Sequence, residues 1–239
     1  MLNYGLVMDN NRFAGILGDD YNLLKFAYPH HDEFQEKIGL EIQAYAKSRK
    51  LDEPIILEGG CGSGITSLFI LKRNPQAKLV GVDNERKMLD QAKDILEKYL
   101  GQVELVHQDL LEYLKSQSSE SVDIFVVVWT LHNLQPKYRD AVFQEVTRIL
   151  KPKGLFISGD KYAPENVEQH TKELEAQLDR FKQYSNKELA AAWVAHNLED
   201  DKIKIRESEQ IAILQDLGFT NVRIAYRKDM EAIIEGIKG

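Results

Sequence analysis

Glycine, one acid and one thiol stand together in Glu58-Gly59-Gly60-Cys61-Gly62-Ser63-Gly64, directly after the apolar run Ile55-Ile56-Leu57 and ahead of a helical pattern over 66–71. Glycines at alternate positions let a chain leave a strand in a sharp turn, bring bare backbone against a ligand and pack the next helix on the sheet. The chemistry such a turn serves is capture of a nucleotide-like cofactor. Glu58, at the carboxyl end of the strand, is placed to hold an ammonium or hydroxyl group. A dinucleotide fingerprint would read G-x-G-x-x-G, with pyrophosphate on the helix N-terminus. The order here is acid-x-G-x-G-x-G, a spacing that opposes a dinucleotide-dependent oxidoreductase. Cys61 reads as a small residue beneath the cofactor, since no neighbour is evident that would make its thiol a nucleophile.

Asp83 ends the apolar run 78–83. An acid about twenty positions beyond a glycine turn can accept hydrogen bonds from both hydroxyls of a ribose. A third run, 103–109, again ends in an acid, Asp109, and a fourth, 123–129, leads into Thr130-Leu131-His132-Asn133-Leu134. Either Asp could instead be a helix N-cap. Their shared place at the carboxyl ends of apolar strands favours a ligand site, because open α/β sheets bind ligands there.

The ordered set over 55–160 resembles the class I S-adenosylmethionine-dependent methyltransferases, whose ligand has a cationic sulfonium and an amino acid end in place of phosphates. The resemblance implies an α/β fold with a Rossmann-like seven-stranded sheet, helices on both faces and a C-terminal antiparallel hairpin. It implies S-adenosylmethionine as cofactor and S-adenosylhomocysteine as product. Glu58, Gly59, Gly60, Cys61, Gly62 and Gly64 would form the turn around it. Asp83 would hold the ribose, with Asn84 along the adenine edge and Met88 on the next helix. Asp109 and the backbone of Leu110 would contact the adenine amino group, and Trp129 and Thr130 would complete the site.

The elements that must position these residues follow from periodicity. A helix precedes the sheet, with Asp32 and Gln35 as a capping box and Phe34, Ile38, Ile42 and Tyr45 on one face. Strands alternating with helices imply a parallel sheet with right-handed crossovers. Pro136 opens a helix that Lys151-Pro152-Lys153-Gly154 stops, and a strand over 155–159 follows. The alternation breaks between 164 and 206. Val167, His170, Leu174, Leu178 and Phe181 outline one amphipathic helix, and Ser185 with Glu188 caps a second carrying Leu189, Ala192, Trp193 and His196. The expectation is a single domain over 1–239, with an N-terminal flap and helix over 1–50 and a helical cap over 164–206 that encloses substrate and excludes water. The alternative is an antiparallel pair that only extends the core.

A net charge of −7 argues against passive attraction to nucleic acid or anionic membrane. No secretory signal or long apolar span is evident and one Cys cannot form an internal disulfide, which points to the cytoplasm. The partners expected are a small-molecule substrate, no directly bound nucleic acid and no membrane, with a homodimer left open.

The run 28–34, the Thr130-Leu131-His132 turn and the inserted helices look like a bacterial and archaeal group of small-molecule methyltransferases related to carboxy-S-adenosylmethionine synthase, an enzyme of transfer RNA wobble modification. That synthase holds the extra carboxylate of its product with an Arg of the inserted region, as a planar fork suits. Trp193 takes its place here, no basic residue occurs over 189–195, and Lys187 and Arg206 lie farther off. Tyr21, Tyr28 and Trp193 are therefore the expected acceptor-binding residues of a methyltransferase, the synthase reaction being the alternative. Methyl transfer needs little beyond in-line placement, because the sulfonium is already activated. Where the acceptor must lose a proton, His31 and His132 are the candidate bases. No metal site is expected, since adjacent His30, His31, Asp32 and Glu33 point apart at a helix start. A module that binds the cofactor or a partner protein without turnover is the third class.

Overall fold

The sheet is mixed and runs in the order β3-β2-β1-β4-β5-β7-β6. Its strands are β1 (Ile55–Gly59), β2 (Lys78–Asp83), β3 (Val103–His107), β4 (Val122–Val128), β5 (Leu150–Lys161), β6 (Phe219–Lys228) and β7 (Glu231–Lys238). These come from a computed structural model that describes residues 15–19 and 24–239. The first five strands pair in parallel, and β7 enters antiparallel between β5 and β6.

Every residue of β4 is buried, as a central strand covered on both faces requires. Alternation splits its side chains between two cores. Ile124 and Val126 point into the core built with Phe34, Ile38 and Ile42 of α3 (His31–Arg49) and Ile70 and Leu71 of α4 (Ile65–Arg73). Phe125 and Val127 point into the other, with Leu114 of α6 (Leu110–Ser116), Val142 and Phe143 of α7 (Pro136–Ile149) and Leu214 of α10 (Glu207–Asp216). The fifth helix, α5 (Arg86–Ile95), lies on the first face through Ala92. Two short helices, α1 (Ile16–Asp19) and α2 (Leu24–Ala27), precede α3, and α8 (Val167–Lys182) and α9 (Lys187–Asp201) form the insertion.

The insertion packs on the N-terminal segment as well as on itself. Arg180 Nε of α8 donates to Ala27 O at 2.7 Å, and Phe181, Leu189 and Trp193 join the α3 core. Gln91 of α5 reaches Gly18 O at 2.8 Å, so α1 is tied to the helix behind the β2 end.

Several boundaries differ from the sequence reading. The N-cap of α3 is His30, without a side-chain bond, and Asp32 sits inside the first turn, where its carboxylate meets His31 Nδ1. Asn186, not Ser185, caps α9, accepting from the amides of Glu188 and Leu189. Lys151-Pro152-Lys153-Gly154 does not separate a helix from a strand by a loop. Strand β5 already begins at Leu150, which pairs with Val122, and the register shift before Ile124 absorbs the irregular residues. Val167 is exposed, because the inward face of α8 begins only lower down, at Gln177 and Phe181.

Candidate active site

The chain's crossovers change direction between β1 and β4, and at that switch point the carboxyl ends of the strands leave a crevice. Gly60, Gly62 and Gly64 have φ of 66°, 53° and 79°, the left-handed region that side chains resist. The turn is fastened to β2, since Gly60 and Cys61 amides both donate to Val82 O, at 2.8 and 3.1 Å. A Cβ on Gly60 would collide with Thr130, so that glycine lets the turn approach the β4 end. At Gly62 the nearest neighbour of a Cβ would be the end of Met88, at 3.4 Å.

Asp83 closes the turn from the β2 side. One carboxylate oxygen accepts from Gly62 N and the other from Glu85 N, both at 2.8 Å. Burial raises its carboxyl above the usual range while those amides pull it back. Asn84 contributes its carbonyl to His107 Nε2 at 3.0 Å. Asp109 caps α6 through Glu112 N and accepts from the Tyr138 hydroxyl, and Leu110 lies against Gly59. The capping role proposed as an alternative for Asp109 is thus present, beside whatever a cofactor would ask of it.

At the turn Glu58 is engaged by the protein itself, and Cys61 is the small, packed residue that the sequence suggests. Glu58 is 1% exposed and turned inward, where it accepts from the Ser67 hydroxyl; burial pushes its carboxyl up to about 8 against that bond. It anchors the start of α4 through that bond. Cys61 packs against Gly81, and burial pushes its thiol up, away from nucleophilic form.

Two clefts meet at Trp129. The first is lined by the turn residues 60–63 with Leu24, His31, Gln35 and Val128. The second is lined by Leu24, Tyr28, Trp129, His132, Lys161, Trp193 and His196, among others. Trp129 has φ 47°, unusual for a bulky side chain, and the strain aims its ring at three neighbours. It stacks on Phe34 with centroids 5.4 Å apart and lies 5.3 Å from both His31 and Tyr28. Trp193 stacks on Phe181 at 5.4 Å and meets His196 edge-on. The structure thus gathers Tyr28, Trp129, His132 and Trp193 at the second cleft and His31 beside Trp129 at the first. Tyr21 lies outside the described residues.

His132 is held differently from a free base. Its Nδ1 meets an Asp160 carboxylate oxygen, its backbone amide donates to the other at 3.1 Å, and its Nε2 lies 3.4 Å from Asp200 Oδ2. Both ring nitrogens therefore face carboxylates. His196 Nε2 approaches the same Asp200 oxygen at 3.1 Å, and Lys161 Nζ lies 3.6 Å from it while donating to Asn197 Oδ1. Burial opposes ionisation of Asp200, yet His132, Lys161 and His196 together hold its carboxyl well below the usual range. Asp160, Lys161 and Asp200 were missed in the sequence. The available signals were an acid ending β5 and the i, i+4 spacing of His196 and Asp200 on α9.

Residues 56–154 match the model of a methyltransferase domain. Over that span the chain is similar to methyltransferases, and its seven-stranded sheet is that of the class I methyltransferase fold. Among its curated relatives are proteins named carboxy-S-adenosyl-L-methionine synthase, from Nautilia profundicola at 25% identity over 81% of each chain and from Helicobacter hepaticus at 26% over 86% of this chain and 85% of that one. Among solved structures, a Synechocystis magnesium protoporphyrin IX methyltransferase with bound cofactor superposes with a TM-score of 0.63 at 15% identity, covering 96% of this chain and 95% of that one. An O-methyltransferase family protein from Burkholderia thailandensis gives 0.65 at 15% identity, covering 95% of this chain and 62% of that one. These methyltransferase structures share the fold found here. The turn after β1 borders the first cleft, and the cleft of Trp129 and Trp193 adjoins it.

Lys187 and Arg206 do not reach that cleft. Lys187 donates to the carbonyls of Lys182 and Tyr184, and half-exposed Arg206 faces Glu165. His30 pairs with Glu33 and His31 with Asp32.

Proposed function

We propose that this protein transfers the methyl group of S-adenosylmethionine to a small, partly apolar acceptor held between Tyr28, Trp129 and Trp193. The observation that carries the reading is the pair of clefts sharing Leu24 and Trp129, one lined by the glycine turn and the other by aromatic rings and buried polar groups. A cofactor lying along the first would present its sulfonium methyl at the mouth of the second. The acceptor's lone pair then forms the new bond to the methyl carbon, and the carbon–sulfur pair returns to sulfur. Placement supplies much of the rate. His31, with Nδ1 donating to Asp32 at 2.7 Å, keeps Nε2 as the nitrogen that can receive a proton. His132, engaged at both nitrogens, is assigned no such role. In this reading the flap and the 164–206 insertion are parts of one cytoplasmic enzyme that binds no nucleic acid directly.

The names of the curated relatives favour a second reading, formation of a carboxylated cofactor. The cation that could meet a carboxylate in the second cleft is Lys161, not Lys187 or Arg206. Lys161 already stands beside Asp200, and Trp193 offers no fork of donors. An acceptor screen scored by S-adenosylhomocysteine release tests the main reading. Release with no acceptor that exceeds background would count against it.

A further inference from the structure

We propose that His132, His196 and Asp200 form the binding site of a divalent transition-metal ion in the floor of the acceptor cleft. All three are buried, and one ring nitrogen of each His and one Asp200 oxygen lie within 4.8 Å of one another. The Nε2 atoms of His132 and His196 are 3.4 and 3.1 Å from Asp200 Oδ2. Metal bonds of about 2.1 Å place neighbouring ligand atoms roughly 3.0 Å apart at a right angle and roughly 3.4 Å apart at the tetrahedral angle. The two observed N···O separations therefore match edges of such a coordination polyhedron.

The surroundings fit a ligand set. Asp160 grips His132 at Nδ1 and at the backbone amide, which orients the ring with Nε2 toward Asp200, as carboxylates behind metal-bound histidines do. His196 and Asp200 are one turn apart on α9, so one rigid helix presents two ligands and the turn after β4 the third. Two buried carboxylates, Asp160 and Asp200, face one buried ammonium, Lys161, and a dication offsets the remaining negative charge. Trp129, about nine-tenths buried and lining the same cleft, has an Nε1 with no hydrogen-bond partner among the described residues, as expected of a donor waiting for a ligand.

Two imidazoles and a carboxylate suit Zn²⁺, Fe²⁺, Co²⁺ or Mn²⁺ better than Ca²⁺ or Mg²⁺. Three protein ligands leave coordination positions for a bound molecule. Resting on the methyl-transfer reading, the ion would take an oxygen of the acceptor. That oxygen loses its proton to solvent, its lone pair forms the O–CH3 bond, and the S–CH3 pair goes to sulfur. His132 and His196 then act as ligands, which explains why neither faces the cleft as a free base.

The test uses tag-free full-length protein stripped with a chelator and titrated separately with Zn²⁺, Co²⁺ and Mn²⁺, with Fe²⁺ under anaerobic conditions. We expect one equivalent to bind per chain for at least one ion, with Co²⁺ giving the visible absorption of a site with nitrogen ligands. His196→Ala and Asp200→Asn should each weaken binding at least tenfold. Circular dichroism and S-adenosylhomocysteine affinity, unchanged in the variants, show that fold and cofactor site persist. Should the variants fail to fold, the Co²⁺ spectrum of the unmodified protein still decides. Absence of stoichiometric binding by all four ions, or equal affinity in correctly folded variants, overturns the proposal. The separate cofactor titration distinguishes that failure from failure of the methyltransferase reading.

Discussion

Glu58→Gln should flatten the pH dependence of stability. In the folded protein burial pushes the Glu58 carboxyl up to about 8 from an ordinary 4.5. Between those values the unfolded chain has released this proton and the folded chain retains it, so raising the pH favours unfolding. The loss is absent below the unfolded value and complete above the folded one. The difference between about 8 and 4.5, at about 1.4 kcal/mol per pH unit, gives a ceiling of about 5 kcal/mol. Glutamine keeps an oxygen for the Ser67 hydroxyl and has nothing to ionise. Thermal melts of both proteins from pH 5 to pH 9 are the assay. The two should be close at pH 5, and the variant should gain steadily toward pH 8. Even about 2 kcal/mol of that ceiling would separate the midpoints by roughly 4–8 °C. Glu231, also buried and pushed up to about 8, titrates in both proteins and cancels in the difference. Parallel profiles, or a wild type that gains over the variant as pH rises, would refute the inward, protonated Glu58.

Asp83→Ala removes the acceptor of two amides and the expected ribose contact, so calorimetry should show S-adenosylmethionine affinity lower by about 1–3 kcal/mol, roughly 5- to 150-fold. Hydrogen exchange should slow in 24–31 and 167–201 when S-adenosylhomocysteine is added, because both segments border the clefts; equal exchange would make them plain structural helices. Trp193→Ala deletes a ring stacked on Phe181 and should lower stability by about 3–5 kcal/mol in denaturant melts, while cofactor affinity, set at the glycine turn, stays unchanged.

The sequence made the strand ends readable because their signals are local. Alternating glycines, an acid closing β2 and unbroken apolar runs each depend on a few neighbouring residues, and the strands carrying them lie where periodicity put them. The direction of Glu58 was not legible, because periodicity gives the end of a strand but not which way an end residue turns. Its partner, Ser67, lies on the next helix, and only packing decides that the acid faces it. The cluster of His132, Asp160, His196 and Asp200 was illegible for a stronger reason. It joins the β4 turn, the end of β5 and the inserted α9, and the expectation of a cap over 164–206 does not say which α9 side chains meet the strand ends. His132 consequently read as a free base, although its environment is two carboxylates. The cap positions failed more simply: Asn186 and Ser185 are both good caps, and neighbouring residues compete on geometry that the sequence does not display.

Mass spectrometry of the cofactor pool separates methyl transfer from formation of a carboxylated cofactor. The purified protein is incubated with S-adenosylmethionine and a panel of small acceptors, and in parallel with S-adenosylmethionine and prephenate, the co-substrate of the synthase. The account predicts S-adenosylhomocysteine together with an acceptor that has gained one methyl group, and no carboxylated cofactor. Efficient formation of carboxy-S-adenosylmethionine by the unmodified protein would contradict it and make Lys161 the residue to test next.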